Sequence, residues 1–420
     1  MQLWLPNATV YDQGVLTTKD MMLDHDQWIE VFSHSNNSII SLPNAMLVPG
    51  FLDVHVHLRE PGFSYKEHMA TGTQSGVQGG YTALCAMPNL NPAPDCNENI
   101  KVQQDIIDKN AVIPVYPYGC ITKGGMGRGE LCDFEAMKPH VIAFSDDGKG
   151  VQSESLMREA MQAIHRVGGM VVAHCEDESF VAPGGCIHDG AFAKEHGYIG
   201  ITSESEWKHV ERDVRLSKET GCAYHVCHVS TKESVAIIRK AKAEGVNVTC
   251  ETAPHYLLLT EDDLQHEGRF KMNPPIRSKA DREALIEGLL DGTIDILATD
   301  HAPHSAEEKA KGLANSMMGI VGLETAFPLL YTGLVKTGIV PLLTILRAMI
   351  DTPRARFGLP KATLQTESTV FTLDTPHCID PTQFASMGHA TPFAGYTVQA
   401  QCEITILGGK ILWQRQTSAN

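Results

Sequence analysis

The stretch FLDVHVHLREPG, Phe51 to Gly62, sets His55 and His57 two residues apart, with Arg59 two further on. In an extended chain such residues share a face, roughly 6.6 Å apart along the strand. Val54 and Val56 should then point the other way, into packing. Polar groups entering an apolar core cost free energy unless something satisfies them. Two imidazoles on one face can share a metal ion, although two backbone-bonded core histidines would show the same spacing. Later clusters favour the metal. FSDDG closes an apolar run with Asp146 and Asp147, VVAHCED with His174, AYHVCHVS with His228, and DILATDHAPH with Asp300. Each alone reads more readily as a turn or a core residue than as a ligand. Together, four histidines and strand-end carboxylates suit one or two borderline-soft divalent ions such as Zn²⁺. Such an ion lowers the pKa of bound water towards neutrality. A neighbouring aspartate can shuttle protons as base and then acid. The chemistry indicated is hydrolysis at an amide-like carbon, or its reversal.

These residues must be brought together by the elements between them. From Gly50 onward, short apolar runs alternate with amphipathic helix patterns, as in TALCAMPN before NENIKVQQDIIDKN, VIAFSDDG before SESLMREAMQAIHRVG, and CAYHVCHVS before KESVAIIRKAKAEG. Repeated strand–helix alternation implies parallel β structure with crossover helices. The number of units predicts an α/β fold built on a (β/α)₈ TIM barrel over residues 51–359. Chemistry in such barrels sits at the C-terminal ends of the strands, and the polar clusters fall there. The flanking segments, 1–50 (ATVYDQGVL, WIEVFSHSNNSIISLP) and 360–420 (STVFTLD, AQCEITILGGKILWQ), read as short strands. They are expected to form one small β-sandwich domain.

Bulk composition excludes several classes. A net charge of −16 and 6% aromatic content argue against a nucleic-acid surface. No charge-free apolar run approaches the roughly 18 residues that span a bilayer. The first residues lack an export pattern. The 11 cysteines are scattered without a CxxC pair, which predicts a reducing, cytoplasmic setting.

DVHVHLREPG (Asp53–Gly62) and ATDHAPHSAEEK (Ala298–Lys309) resemble the two signature segments of the dihydroorotases, in the amidohydrolase superfamily. MPN, AFSDDG, AHCED, HVST and KMNPPIR follow the same order, so the resemblance spans nearly the whole chain. It implies that His55 and His57 bind the more buried metal with Asp300, and that His174 and His228 bind the second. Many relatives bridge the metals with a carboxylated lysine. AFSDDG resembles instead the bacterial type I dihydroorotases, whose bridge is an aspartate. Asp147 is favoured over Asp146, and Lys149 lies past the glycine in a loop. The implied reaction is the reversible cyclisation of N-carbamoyl-L-aspartate to L-dihydroorotate, a step in pyrimidine biosynthesis. Asp300 would be the proton shuttle. Arg59, Asn89, Asn273 and His304 would hold the substrate. The implied partners are this small molecule, a second copy in a homodimer, and aspartate transcarbamoylase.

Other signals are assigned to packing or loops. Alternation turns Cys175, Cys227, His225 and His301 away from the metals, and His255 reads as structural. KGGMGRG (Lys123–Gly129) lacks the full phosphate-loop pattern. HSAEEKAKGLANSMMG fits a mobile lid or a surface helix equally. The rival readings are a hydantoinase- or allantoinase-like cyclic amidase, disfavoured by the aspartate bridge, Arg59 and KMNPPIR, and a silent barrel that scaffolds a partner. The presence of all six ligands counts against the scaffold.

Overall fold

A computed structural model of the chain describes residues 3–31 and 40–416. Part of the WIEVFSHSNNSIISLP stretch, residues 32–39, lies outside the described residues, as do 1–2 and 417–420.

Strands Phe51–Val56, Tyr81–Ala86 and Val115–Pro117 form one parallel sheet. Met170–Ala173, Ala223–Val226, Val248–Thr252 and Ile296–Leu297 form another. Isolated parallel bridges link the two. Phe144 pairs with both Gly119 and Val171, and His301 pairs with Val56. The first two strands are buried at every position, as expected for parallel strands covered on both faces. Leu52, Ala83, Val172 and Ile296, from four of these strands, share one apolar cluster.

The crossover helices follow from local sequence. In Glu154–Arg166 the buried residues are Met157, Ala160, Met161 and Ile164, spaced along one stripe. The Ser153 hydroxyl accepts from the Leu156 N–H at 3.3 Å and starts the helix. Lys279–Asp291 begins with a Ser278–Asp281 capping box and stops at Gly292, whose φ of 80° suits the C-cap.

Strands from both ends of the chain join in one mixed sheet. Leu3–Asp12, Val15–Asp24, Gln27–Glu30 and Ala45–Val48 pair in it with Glu367–Thr372, Gln401–Leu407 and Lys410–Gln414. Its inward residues, among them Leu3, Leu5, Trp28, Val370 and Ile404, make an apolar cluster of their own.

One expectation fails. Val54 and Val56 do not share a face: Val54 joins the cluster between the parallel strands, and Val56 joins the larger one outside it. The pairing register with Tyr81–Ala86 shifts between Asp53 and Val56. Such an irregularity breaks strict alternation and re-aims side chains. Among the described residues, no helix is long and apolar enough to cross a membrane.

Candidate metal centre

The predicted ligands converge where the parallel strands end. His55 and His57 come from Phe51–Val56 and the residue after it. His174 follows Met170–Ala173, His228 lies two residues past Ala223–Val226, and Asp300 lies three past Ile296–Leu297. Asp147 lies in the turn after Phe144. His228 and Asp300 have φ of 31° and 48°, and Arg59 has 63°. Left-handed backbone is strained for such residues and collects at functional sites.

Asp147 is the hub. Its Oδ1 lies 3.4 Å from His55 Nε2, 3.7 Å from His228 Nε2 and 3.9 Å from His174 Nδ1. Its Oδ2 lies 3.5 Å from His57 Nε2. Asp300 Oδ1 stands 3.0 Å from His57 Nε2 and 3.5 Å from His55 Nε2. His174 Nδ1 and His228 Nε2 are 3.0 Å apart. Asp146 is turned away. Its carboxylate accepts the N–H groups of Ile121 at 2.8 Å and Gly127 at 3.1 Å, and the Thr122 hydroxyl at 2.6 Å.

This donor set fits divalent ions. The candidate ligand atoms of His55, His57 and Asp300 lie within 4.8 Å of one another, as do those of His55, Asp147 and His228. His55 Nε2 and Asp147 Oδ1 are buried without a hydrogen-bond partner. Buried polar atoms are almost always satisfied, so these mark a place for an ion.

Charge is arranged accordingly. Burial pushes the Asp147 carboxyl up, but His55 and the other histidines outweigh it and hold the group well below the usual range. Burial likewise opposes the His55 imidazolium, and Asp147 reverses that, so its pKa sits well above the ordinary value. A metal ligand must be neutral imidazole, so ion uptake has to expel this proton. Affinity for Zn²⁺ is therefore expected to rise with pH up to the raised His55 pKa and to flatten above it. Calorimetry in buffers of different ionisation enthalpy should show proton release on binding; binding without release would contradict the assignment.

Two positioning acids carried no sequence signal of their own. Glu251 Oε1 lies 2.6 Å from His55 Nδ1, and its Oε2 lies 3.0 Å from His225 Nε2. His225 Nδ1 is 2.8 Å from the Thr249 hydroxyl. Glu251 thus fixes the His55 ring with Nε2 towards Asp147, as carboxylates behind metal-binding histidines do. Asp53 accepts the N–H groups of His55 and Thr299, both at 3.0 Å, and so ties two strand ends together. Glu251→Gln is expected to weaken metal binding about 10- to 100-fold. Competition with a chromophoric chelator measures this; unchanged affinity would remove the role.

The site opens into a cavity of about 700 Å³ whose wall includes Arg59, Asn89, Asn273 and His304. The Arg59 Nε–H donates to the Pro303 carbonyl at 3.1 Å, and burial lowers its guanidinium to about 10, still charged at neutral pH. Asn89 Oδ1 is 2.9 Å from His57 Nδ1, so part of its amide orients that imidazole. The Asn273 amide donates to Glu176 at 2.9 Å. His304 Nε2 lies 2.8 Å from the Met318 carbonyl and 3.4 Å from Arg59 Nη2. Ser316 to Gly319, the end of the HSAEEKAKGLANSMMG segment, form part of the wall. Lys309 pins that segment, donating to the carbonyls of Lys271, Met317 and Gly319 at 3.0, 2.7 and 2.7 Å.

The discounted groups have other partners. His301 accepts the Gly322 N–H at 3.2 Å on its far side. Cys175 lies 3.2 Å from the Tyr224 hydroxyl. Cys227 is packed, yet its sulfur lies within 4.8 Å of His55 and Glu251 donor atoms, behind the ligand rather than remote from it. KGGMGRG supplies the Gly127 N–H to the Asp146 carboxylate, and a Cβ on Gly127 would meet the Gly150 carbonyl oxygen at 1.8 Å.

Comparisons with known proteins place the chain in a family. A family model described as dihydro-orotase-like matches residues 44–234. A dihydroorotase of Bacillus cereus (strain AH820) is 46% identical, with 97% of each chain covered. That of Bacillus cytotoxicus is 45% identical over the same share. Among solved structures, an L-hydantoinase (dihydropyrimidinase) from Arthrobacter aurescens matches with a TM-score of 0.83. It is 24% identical and covers 97% of this chain and 95% of its own. A dihydropyrimidinase from Brevibacillus agri matches at 0.80, with 18% identity, 98% of this chain and 95% of its own. These two show the fold, an α/β fold of the hydantoinase and dihydropyrimidinase type. Fold, site and relatives define a cyclic amide hydrolase with candidate metal-binding His and Asp groups. The identity to the Bacillus enzymes over nearly the full length makes the assignment specific. The chain belongs to the dihydroorotase family.

Proposed function

We propose that this protein interconverts N-carbamoyl-L-aspartate and L-dihydroorotate in pyrimidine biosynthesis. The observation that carries the reading is Asp147, set among four histidines and facing a cavity that also holds a buried arginine. In this reading His55, His57 and Asp300 would hold one Zn²⁺, His174 and His228 would hold a second, and Asp147 would serve both. A bound ion would polarise the carbonyl under attack and acidify water.

The chain's own residues do the rest. In cyclisation the carbamoyl nitrogen attacks the side-chain carboxylate carbon, and one carboxylate oxygen leaves as water with the nitrogen's proton, passed on by Asp300, and a second proton from solvent. Asp300 takes the nitrogen's proton, and in hydrolysis it returns that proton to the departing nitrogen. Burial pushes the Asp300 carboxyl up, but contacts with His57 and the charges of His55 and His228 hold it below the usual range. It is therefore an anion, ready to act as base. Arg59 pairs with the substrate carboxylate, Asn89 and His304 add donors, and Asn273 meets the ring.

The bridges at Phe144 and His301 support a closed (β/α)₈ barrel over residues 51–359. The separate apolar cluster supports a small β-sandwich from 1–50 and 360–420. A cytoplasmic setting rests on the scattered cysteines, and a homodimer and an association with aspartate transcarbamoylase rest on the family resemblance.

The reading is tested by assaying purified, zinc-loaded protein with dihydroorotate, hydantoin and allantoin. Turnover confined to dihydroorotate is expected. Turnover of hydantoin or allantoin without dihydroorotate would replace this reading with the cyclic amidase one.

A further inference from the structure

Lys66 has no part in the chemistry above, yet it is 93% shielded from solvent and lines the same cavity. It sits in the turn before helix Met69–Gln78, and its Nζ lies 3.2 Å from His304 Nδ1 and 3.1 Å from Glu308 Oε1. Glu308 Oε2 is itself 3.3 Å from His304 Nδ1 and accepts the Ser305 N–H at 3.1 Å. Two opposite charges thus compete over one imidazole nitrogen.

Donor and acceptor capacity decides the outcome. The Met318 carbonyl, 2.8 Å from Nε2, can only accept, so Nε2 carries a proton. The Lys66 ammonium can only donate, so Nδ1 must offer its lone pair. Protonation of both nitrogens would let Glu308 accept from Nδ1. Burial and the charges of Arg59 and Lys66 oppose that and push the ring down to about 3. Glu308 therefore serves to hold the lysine, and the lysine holds the ring. Arg59 Nη2 lies 3.4 Å from Nε2, so the N–H of His304 and the guanidinium stand side by side. One carboxylate can accept from both.

We infer that Lys66 is a positioning residue: it keeps His304 in the Nε2–H form, so that a donor rather than a lone pair meets the substrate carboxylate beside Arg59. The inference rests on the proposed substrate role of His304. In the structure the Met318 carbonyl accepts from Nε2, and a carboxylate beside Arg59 would share that proton. Without Lys66, Glu308 is the remaining partner of Nδ1. Glu308 then competes with the Met318 carbonyl for the one ring proton, and each ring that gives it to Nδ1 turns an Nε2 lone pair to the carboxylate.

The test uses zinc-loaded protein in mildly alkaline buffer, with orotate and uracil as probes that differ by the carboxylate. Lys66→Met is expected to weaken orotate binding about tenfold, the size of one hydrogen bond to a charged group, and to leave uracil binding within about twofold. His304→Asn should show the same pattern. The double variant should bind orotate no worse than His304→Asn alone. Additive losses would mean that Lys66 touches the carboxylate itself, and an equal loss for uracil would mean a merely structural role; either overturns the inference. An unchanged orotate affinity in His304→Asn would defeat the substrate role of His304 and the inference with it. A loss in His304→Asn without one in Lys66→Met would defeat the inference alone. Should Lys66→Met fail to fold, ¹⁵N-histidine spectra of the unaltered protein decide, with His304 assigned by its absence in His304→Asn. Nε2–H is expected, and Nδ1–H would overturn the inference.

Discussion

Asp300→Ala is expected to lower turnover at least about 10³-fold while the chain still folds. The side chain's strong contact is with His57 at 3.0 Å, and among the described residues no backbone N–H donates to it. The backbone nearby is anchored separately, through Asp53 to the Thr299 N–H and through the His301 carbonyl to the His57 N–H at 2.8 Å. The residue lies where a reacting nitrogen and the candidate ions would meet, and it is held anionic there by three histidines. Removing it takes away the proton acceptor and one ligand together. Steady-state kinetics with dihydroorotate, alongside circular dichroism, checks both halves. Turnover within about tenfold of the parent would reassign the shuttle.

Asp147→Asn carries the second largest effect. Asn keeps the shape but loses the charge that four histidines surround. Zinc content is expected to fall by at least one ion per chain, and turnover by about 10² or more, a carboxylate being replaced by a far poorer ligand. The neighbouring Asp146→Asn should behave in the opposite way. It forfeits charge-assisted bonds to three backbone N–H groups and the Thr122 hydroxyl. That should cost about 1.5–3 kcal/mol of stability and leave zinc content near that of the parent. Metal analysis and thermal melts of the pair separate the two acids. Zinc lost from the Asp146 variant alone would exchange their roles.

The contrast between these two residues shows what could be read in the sequence and what could not. Strand ends were legible because a lone histidine or aspartate after an apolar run is conspicuous, as in VVAHC or DILATD. Their order along the chain was enough to bring them to one mouth. Adjacent aspartates in FSDDG gave no such lead. Which one faces the histidines depends on N–H groups of Ile121, Thr122 and Gly127, about twenty residues upstream and in a loop that read only as glycine-rich. Glu251 was hidden differently. In VNVTCETAPHYL it looks like one polar residue of a mixed strand. Its signal was the cost of burying a carboxylate, which demands partners; His225, set aside as facing elsewhere, is one of them. The paired valines misled because the register shift in Phe51–Val56 is a property of the pairing with Tyr81–Ala86, not of the six residues themselves. The capping of Lys66 by Glu308 joins residues 242 positions apart and left no local mark. The terminal strands were legible in kind but not in partnership: Ala45–Val48 pairs with both Leu3–Asp12 and Glu367–Thr372.

The most direct measurement removes the metal and returns it. Protein stripped by a chelator and dialysed should convert no dihydroorotate. Stepwise Zn²⁺ should restore turnover in proportion to tightly bound zinc, up to one or two ions per chain, and should fail to do so in Asp147→Asn. Full turnover in protein shown by elemental analysis to hold no metal would contradict the assignment of the His–Asp cluster as the catalytic centre.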